Sequence, residues 1–165
     1  MKIGIIFYSR TGNTRSIAKL LENKFKEEKA DADLVEIEHV KKPGFFKAGK
    51  AAMKQQELPI KNANFDLKKY DFIIAGTPIW AGRPSPYVKT FMNKAENVKG
   101  KKGAFFLTGA TPIEDREKAI SIIRNDLENV GLKTIDALLL LRIRKEEIID
   151  GEQDIDGFIN AVLSK

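Results

Sequence analysis

The chain of 165 residues contains no cysteine, which excludes disulfides, thiolate metal ligands, thiol redox chemistry and cysteine nucleophiles together. Its one histidine, His39, leaves no imidazole cluster for a metal and argues against a Ser-His-Asp triad. No apolar run approaches the ~18 residues of a membrane span. Met1-Lys2-Ile3-Gly4 leads straight into a strand-like pattern, with no room for a signal peptide. The expectation is a cytoplasmic protein without membrane insertion. Neither a catalytic side chain nor a metal ligand stands out, so a borrowed cofactor would have to supply any demanding chemistry.

What is present is the composition of a globular domain, 42% hydrophobic and 32% charged, and the length fits one domain spanning 1–165. The net charge of +6 is unevenly placed. Between His39 and Lys69 eight lysines face only Glu57 and Asp66, so this segment alone holds the whole excess. Its lysines are not interleaved with groove-reading or stacking residues, which argues against nucleic acid. The segment either docks an acidic partner or serves as a solubilising face.

Ile3 to Tyr8 is the β-branched, aromatic run of a buried parallel strand. The helix after it places Ile17, Ala18, Leu20, Leu21 and Phe25 on one face. Asp33 to Val40 alternates as a second strand, and the lysine-rich connection that follows holds a helix over Phe45 to Gln55. Tyr70 to Gly76 is a third strand, with a proline-initiated helix over Pro86 to Lys94. Lys102 to Thr108 is a fourth strand, Ile113 to Val130 a helix, Thr134 to Ile143 a fifth strand and Ile155 to Leu163 a closing helix. Strands alternating with helices predict an α/β fold: a three-layer, doubly wound, five-stranded parallel sheet in the order 2-1-3-4-5. Phe45 and Phe46 are expected to pack their helix on the sheet. His39 reads as a surface residue, and Arg142, Arg144 and Lys145 as a solvated edge.

In such a sheet the ligand sits beyond the carboxyl ends of strands one and three, where the winding reverses. The first loop there is Ser9-Arg10-Thr11-Gly12-Asn13-Thr14, opening directly into a helix. Hydroxyls and an amide side chain surround a glycine that lets the backbone close on an anion, and the helix start directs free N–H groups at it. A helix cap needs only one of these residues; the others point to phosphate. The loop lacks the lysine of GxxxxGK[ST] and lacks GxGxxG, and no acidic residue follows the strand as in a response-regulator receiver. The second loop, Gly76-Thr77-Pro78-Ile79-Trp80-Ala81-Gly82 onward to Pro86, is stiffened by proline and opened by glycine. A lone tryptophan commonly fills a core, but Trp80 lies beside the switch point, where its indole would stack on a flat ligand. The third loop, Thr108-Gly109-Ala110-Thr111, would reach the ring's other edge.

The first loop resembles the phosphate loop of the flavodoxin family, Ser/Thr-x-Thr-Gly-x-Thr, at every fixed position. Gly-Thr-Pro-Ile-Trp-Ala-Gly is similar to that family's isoalloxazine loop and is followed by a similar Pro-x-x-Lys-x-Phe helix start, Pro86 to Phe91. The resemblance spans nearly the whole chain and is to the short-chain members. It implies non-covalent flavin mononucleotide (FMN): the phosphate on Ser9, Thr11, Asn13 and Thr14 with the Arg10 and Gly12 amides, and the ring against Thr77 to Gly82 and Thr108 to Thr111. In that family a backbone carbonyl of the second loop turns toward flavin N5; Ala81-Gly82 is the candidate. The third loop departs from the family, having no aromatic residue and no acid before Glu114, so either the second ring face is open or another element covers it.

Three functions follow from the resemblance: an electron carrier serving a redox partner protein, an NAD(P)H-dependent quinone reductase with a small-molecule acceptor, or a binding module of this fold without a redox role. A monomer or a homodimer suits each. Arg10, Arg15 and Arg83, with Glu114 and Asp115 offset by Arg116, predict a less negative potential for fully reduced flavin than in acidic carriers.

Overall fold

Alternate residues of the central strands enter two different cores, the period-two pattern of a sheet buried on both faces. The computed structural model describes residues 1–165, apart from the side chain of Asp115. The strands are β1 (Lys2–Phe7), β2 (Asp31–Glu36), β3 (Phe72–Trp80), β4 (Arg83–Pro84), β5 (Lys102–Gly109), β6 (Lys133–Arg144) and β7 (Glu147–Asp150). The helices are α1 (Asn13–Glu27), α2 (Phe45–Lys54), α3 (Pro86–Lys94), α4 (Glu117–Asn129) and α5 (Ile155–Leu163), with a 3-10 turn at Ile113–Arg116 before α4. Ile3, Ile5, Phe72, Ile74 and Phe106 pack under α1 and α5. Ile6, Tyr8, Ile73, Phe105 and Leu107 pack under α3 and α4. Among the described residues no helix is long and apolar enough to cross a membrane.

The sheet runs β2-β1-β3-β5-β6-β7, parallel through β6. Among its five long strands this is the predicted order 2-1-3-4-5. Two short antiparallel strands go beyond the predicted five: β4 folds back on β3, and β7 on β6. The β6–β7 turn, Lys145-Glu146, has φ of 50° and 66°, the left-handed pair that a two-residue hairpin needs. β2 stops at Glu36, level with the end of its neighbour β1 at Phe7. Beyond it the Glu38 amide donates to Asn62 Oδ1 and His39 bridges to Ile60.

Phe45 and Phe46 do not pack on the sheet. They are 76% and 90% exposed, and the buried face of α2 is Ala48, Ala51 and Ala52, set against β3 and β4. Small residues one helical turn apart let the helix axis approach closely, and the aromatic pair at its start falls off that face.

Candidate functional site

β1 and β3 are neighbours whose following helices cover opposite faces of the sheet, so their carboxyl ends open a crevice. β1 pairs with β3 only as far as Gly76. From Thr77 onward β3 has left β1; β5 accompanies it as far as Pro78 and β4 pairs with Ile79 and Trp80, so no ladder bond to β1 is asked of Pro78, which has no N–H. Thr77 to Trp80 are therefore strand, not loop. The turn Ala81-Gly82, with φ of 48° and 72°, reverses the chain into β4. The hairpin is held from within: the Ser85 amide donates to Thr77 Oγ1 at 3.1 Å and to the Pro78 carbonyl at 3.0 Å. Thr77 is fully buried, and its hydroxyl is engaged within the hairpin.

The loop after β1 could cradle an anion. Gly12 precedes α1 with φ of 100°, and no side chain caps the helix, so the first-turn N–H groups face the loop. The Gly12 amide donates to Ser9 Oγ at 3.2 Å, and Thr14 and Thr108 share a hydroxyl hydrogen bond of 2.9 Å. The first and third predicted loops thus touch. Thr11 is exposed at the rim. Asn13 has its oxygen engaged, accepting from the Glu146 amide at 2.9 Å. The Glu146 carboxylate lies where a Cβ on Gly12 would stand; that flexible side-chain end could move aside, so it is the φ of 100° that calls for glycine there. Sequence reasoning missed Glu146, which reaches the loop from the β6–β7 turn.

Cations stand outside the cradle. Arg15 makes a two-pronged pair with Glu36, at 2.6 and 2.8 Å, and so does not add free positive charge as expected. Arg10 Nε donates to the Pro43 carbonyl at 3.3 Å. Neutral hydroxyls and helix amides are thus among the donors the loop could offer a phosphate, while Arg10 also lines the neighbouring cavity.

Beside the cradle is a largely apolar cavity of about 490 Å³, within the range of small-molecule sites. Of the predicted residues, Arg10, Ile79, Trp80, Ala81, Gly82, Ala110 and Thr111 line it. Phe45, Ala48 and Gly49 complete the lining, so α2 forms part of the cavity wall together with the third loop. A larger cleft of about 730 Å³ runs along β2 between Asp33 and Tyr70. Its rim is charged, with Lys69 and Asp33 paired at 2.8 Å, and no predicted residue lines it. Chemistry, not size, selects the smaller cavity.

Trp80 belongs to both alternatives weighed for it. It meets Tyr8 and Tyr87 edge-on, at 5.7 and 6.2 Å between centroids, while also lining the cavity. Beneath it Tyr8 and Tyr87 stack at 4.1 Å. Burial, chiefly, pushes the Tyr8 phenol above its usual range, so it stays neutral. His39 is half-buried, its Nδ1 3.4 Å from the Tyr8 hydroxyl.

The third loop rests on two guanidinium groups. Arg116, 1% exposed, donates to the carbonyls of Leu107, Leu141, Gly109 and Thr111. Arg142 Nε donates to the Ala110 carbonyl at 3.1 Å, so it is not simply a solvated edge. Among the described residues no carboxylate lies within ion-pair distance of Arg116. Burial pulls its pKa below the usual value, yet arginine stays protonated at neutral pH. Asp115, counted among the charges near this loop, lies outside the described residues. The residues present fit FMN: neutral donors at a helix start for the phosphate, and an apolar slot with an indole wall for the ring.

The NADPH-dependent FMN reductase family model matches residues 1–136. A flavodoxin from Clostridium saccharobutylicum is 28% identical over 134 residues, covering 80% of this chain and 71% of that protein. Flavodoxin 2 from Bacillus cereus is 25% identical with a TM-score of 0.65, covering 99% of each chain. A Lactobacillus acidophilus flavoprotein solved with FMN is 24% identical with a TM-score of 0.71, covering 95% of this chain and 97% of its own; at that identity it shows the fold. The match takes in every strand and loop of the crevice, and the chain therefore belongs to the NADPH-dependent FMN reductase family, as a flavodoxin-like, FMN-binding redox protein.

Proposed function

We propose that the protein carries electrons in the cytoplasm, as a monomer or homodimer, on FMN whose phosphate lies in the cradle of Ser9 to Thr14 and whose ring lies in the cavity walled by Trp80 and α2. One observation carries this reading: the uncapped start of α1 and the apolar cavity adjoin at the carboxyl ends of β1 and β3. Bound FMN supplies the chemistry, accepting and donating one or two electrons. The chain's own residues bind, orient and shield it. Ser9, Thr11 and Thr14 with the helix amides hold the dianion, each such bond contributing roughly 1.5–3 kcal/mol. Ile79, Trp80 and Ala110 exclude water from the ring, and the left-handed Ala81-Gly82 turn brings peptide groups to its edge.

The test begins with colour. Purified protein is yellow, or turns yellow with FMN and quenches its fluorescence; a colourless protein that leaves added FMN unquenched is instead a binding module. Thr11→Ala with Thr14→Ala weakens FMN binding by at least about tenfold, from the same bond strengths, while riboflavin, which has no phosphate, binds as before. Unchanged FMN affinity in that double variant removes the phosphate assignment.

A second reading, an NAD(P)H-dependent quinone reductase, is supported by the description of the matched family. Anaerobic mixing of holoprotein with NADH or NADPH separates the two: rapid bleaching of the flavin marks the reductase, a persistent yellow colour the carrier.

A further inference from the structure

α2 is a wall one helix thick between the cavity and solvent, and its faces differ in kind. Ala48, Ala51 and Ala52 are buried, and Phe45 and Gly49 line the cavity. Phe46, Lys50 and Met53, spaced i, i+4 and i+7, share the outward stripe, with Lys47 and Lys54 beside it. Phe46 is 90% and Met53 58% exposed. All three lysines are exposed, and among the described residues none of them forms an ion pair. Lys41 and Lys42, just before the helix, are also exposed and unpaired in the same sense. An aromatic anchor with a basic surround describes a recognition surface: the dry centre supplies binding energy and the charge supplies steering.

We propose that the outward face of α2 docks an acidic redox protein that exchanges electrons with FMN behind it. The inference rests on the FMN reading above and names the partner of that same site. Charge complementarity selects the occupant. A second copy of this chain would set the same lysines against each other. A helix of 10 residues with three exposed apolar side chains, Phe45, Phe46 and Met53, buries too little to anchor in a lipid surface. A protein seated on α2 stands one helix diameter, about 10 Å, from the cavity.

An acidic plant-type ferredoxin serves as the probe. Two reduced ferredoxins, giving one electron each, take one oxidised FMN to its fully reduced form with protons from solvent. Stopped-flow bleaching of the flavin is expected to slow about tenfold or more from about 20 to about 300 mM salt as the charges are screened. At low salt Lys47→Glu with Lys50→Glu slows it about tenfold, and Phe46→Ser slows it severalfold, with FMN affinity unchanged. Oxidation of the reduced holoprotein by basic cytochrome c shows the opposite salt trend and is faster in the double variant. Ferredoxin rates that ignore both salt and these substitutions overturn the proposal. So does binding to phosphatidylglycerol vesicles that the double variant abolishes while ferredoxin rates stay unchanged; that result assigns the face to lipid. If the protein takes up no FMN, the flavin reading fails separately. Calorimetric titration of the FMN-free protein with ferredoxin then decides the docking face: heat that the double variant abolishes upholds it, and no heat overturns it.

Discussion

Arg116 brings a positive charge into the interior and spends its hydrogen bonds on four main-chain carbonyls. Three consecutive carbonyls of the third loop, Gly109 to Thr111, are thereby drawn toward Arg116 and Arg142. In a trans peptide the N–H points opposite the C=O, so the Ala110 amide points away from Arg116. A buried cation behind a cavity wall stabilises negative charge that appears in the cavity. Arg116→Gln is expected to weaken binding of fully reduced FMN about tenfold relative to oxidised FMN, a shift of about −30 mV for the two-electron couple. Arg116→Lys keeps the charge but loses the planar fork, so it retains most of the potential while loosening the loop. Spectroelectrochemical titration reads both; equal potentials in all three proteins would leave Arg116 with a packing role alone.

Glu146 poses the opposite electrostatic problem at the cradle. Its carboxylate lies against Gly12, while its amide, through Asn13 Oδ1, pins the start of α1. The backbone bond orders the loop, but the charge opposes a phosphate dianion. Glu146→Gln keeps the amide bond and removes the repulsion. It is expected to tighten FMN binding severalfold, by roughly 1 kcal/mol as for a partly screened charge pair, with riboflavin binding unchanged. Fluorescence titration with both ligands checks this, and equal gains for the two would mean that Glu146 acts on the fold and not on charge.

At the scale of elements, what was legible followed from strong local signals. The βα alternation, the sheet order and the hydroxyl-rich helix start were all readable because buried strands and an anion loop each need a narrow set of residues. Trp80 was placed correctly beside the crevice but in the wrong element. Pro78 reads as a strand breaker, and only the pairing shows that β3 runs on past the end of β1, along β5 and then β4. The β6–β7 hairpin was illegible because its left-handed turn is Lys-Glu and lacks the glycine or asparagine that announces such turns. α2 was found, but its orientation was inverted: phenylalanines outweigh alanines in any hydrophobicity reading, whereas close helix approach depends on the alanines.

The β3–β4 hairpin makes the dual role of Trp80 testable. Trp80→Ala removes both a cavity wall and the edge contacts to Tyr8 and Tyr87. Stability is expected to fall by about 2–3 kcal/mol, below the 3–5 of a fully buried aromatic because Trp80 is half-exposed. The visible band of bound FMN shifts as well, and Trp80→Phe restores much of the stability. A lowered Tm with an unmoved flavin band would confine Trp80 to the core.

Over the whole molecule, the excess charge and the cavity come together. The net +6 arises in the segment from His39 to Lys69, and the fold lays part of that segment, α2, against the cavity. Arg10 also lines the cavity, and Arg116 holds carbonyls of its third loop, whereas Arg15 is neutralised by Glu36. Among the described residues no carboxylate lines the cavity. Reduction places negative charge on the ring, so this field favours the reduced form. The potential of the fully reduced couple is therefore expected to be less negative than in carriers that ring their flavin with acids. Because the lysines of α2 are exposed, their share is screened by salt over a Debye length of about 8 Å at physiological strength. The share of buried Arg116 is screened much less. Potentiometric titration at rising ionic strength should move the potential in the negative direction and then level off, the plateau being the buried contribution. In Lys47→Glu with Lys50→Glu the salt-dependent part should shrink or reverse, with the plateau unchanged. A potential as low as in acidic carriers, or one that salt leaves untouched, would break the link between where the lysines lie and what the site does.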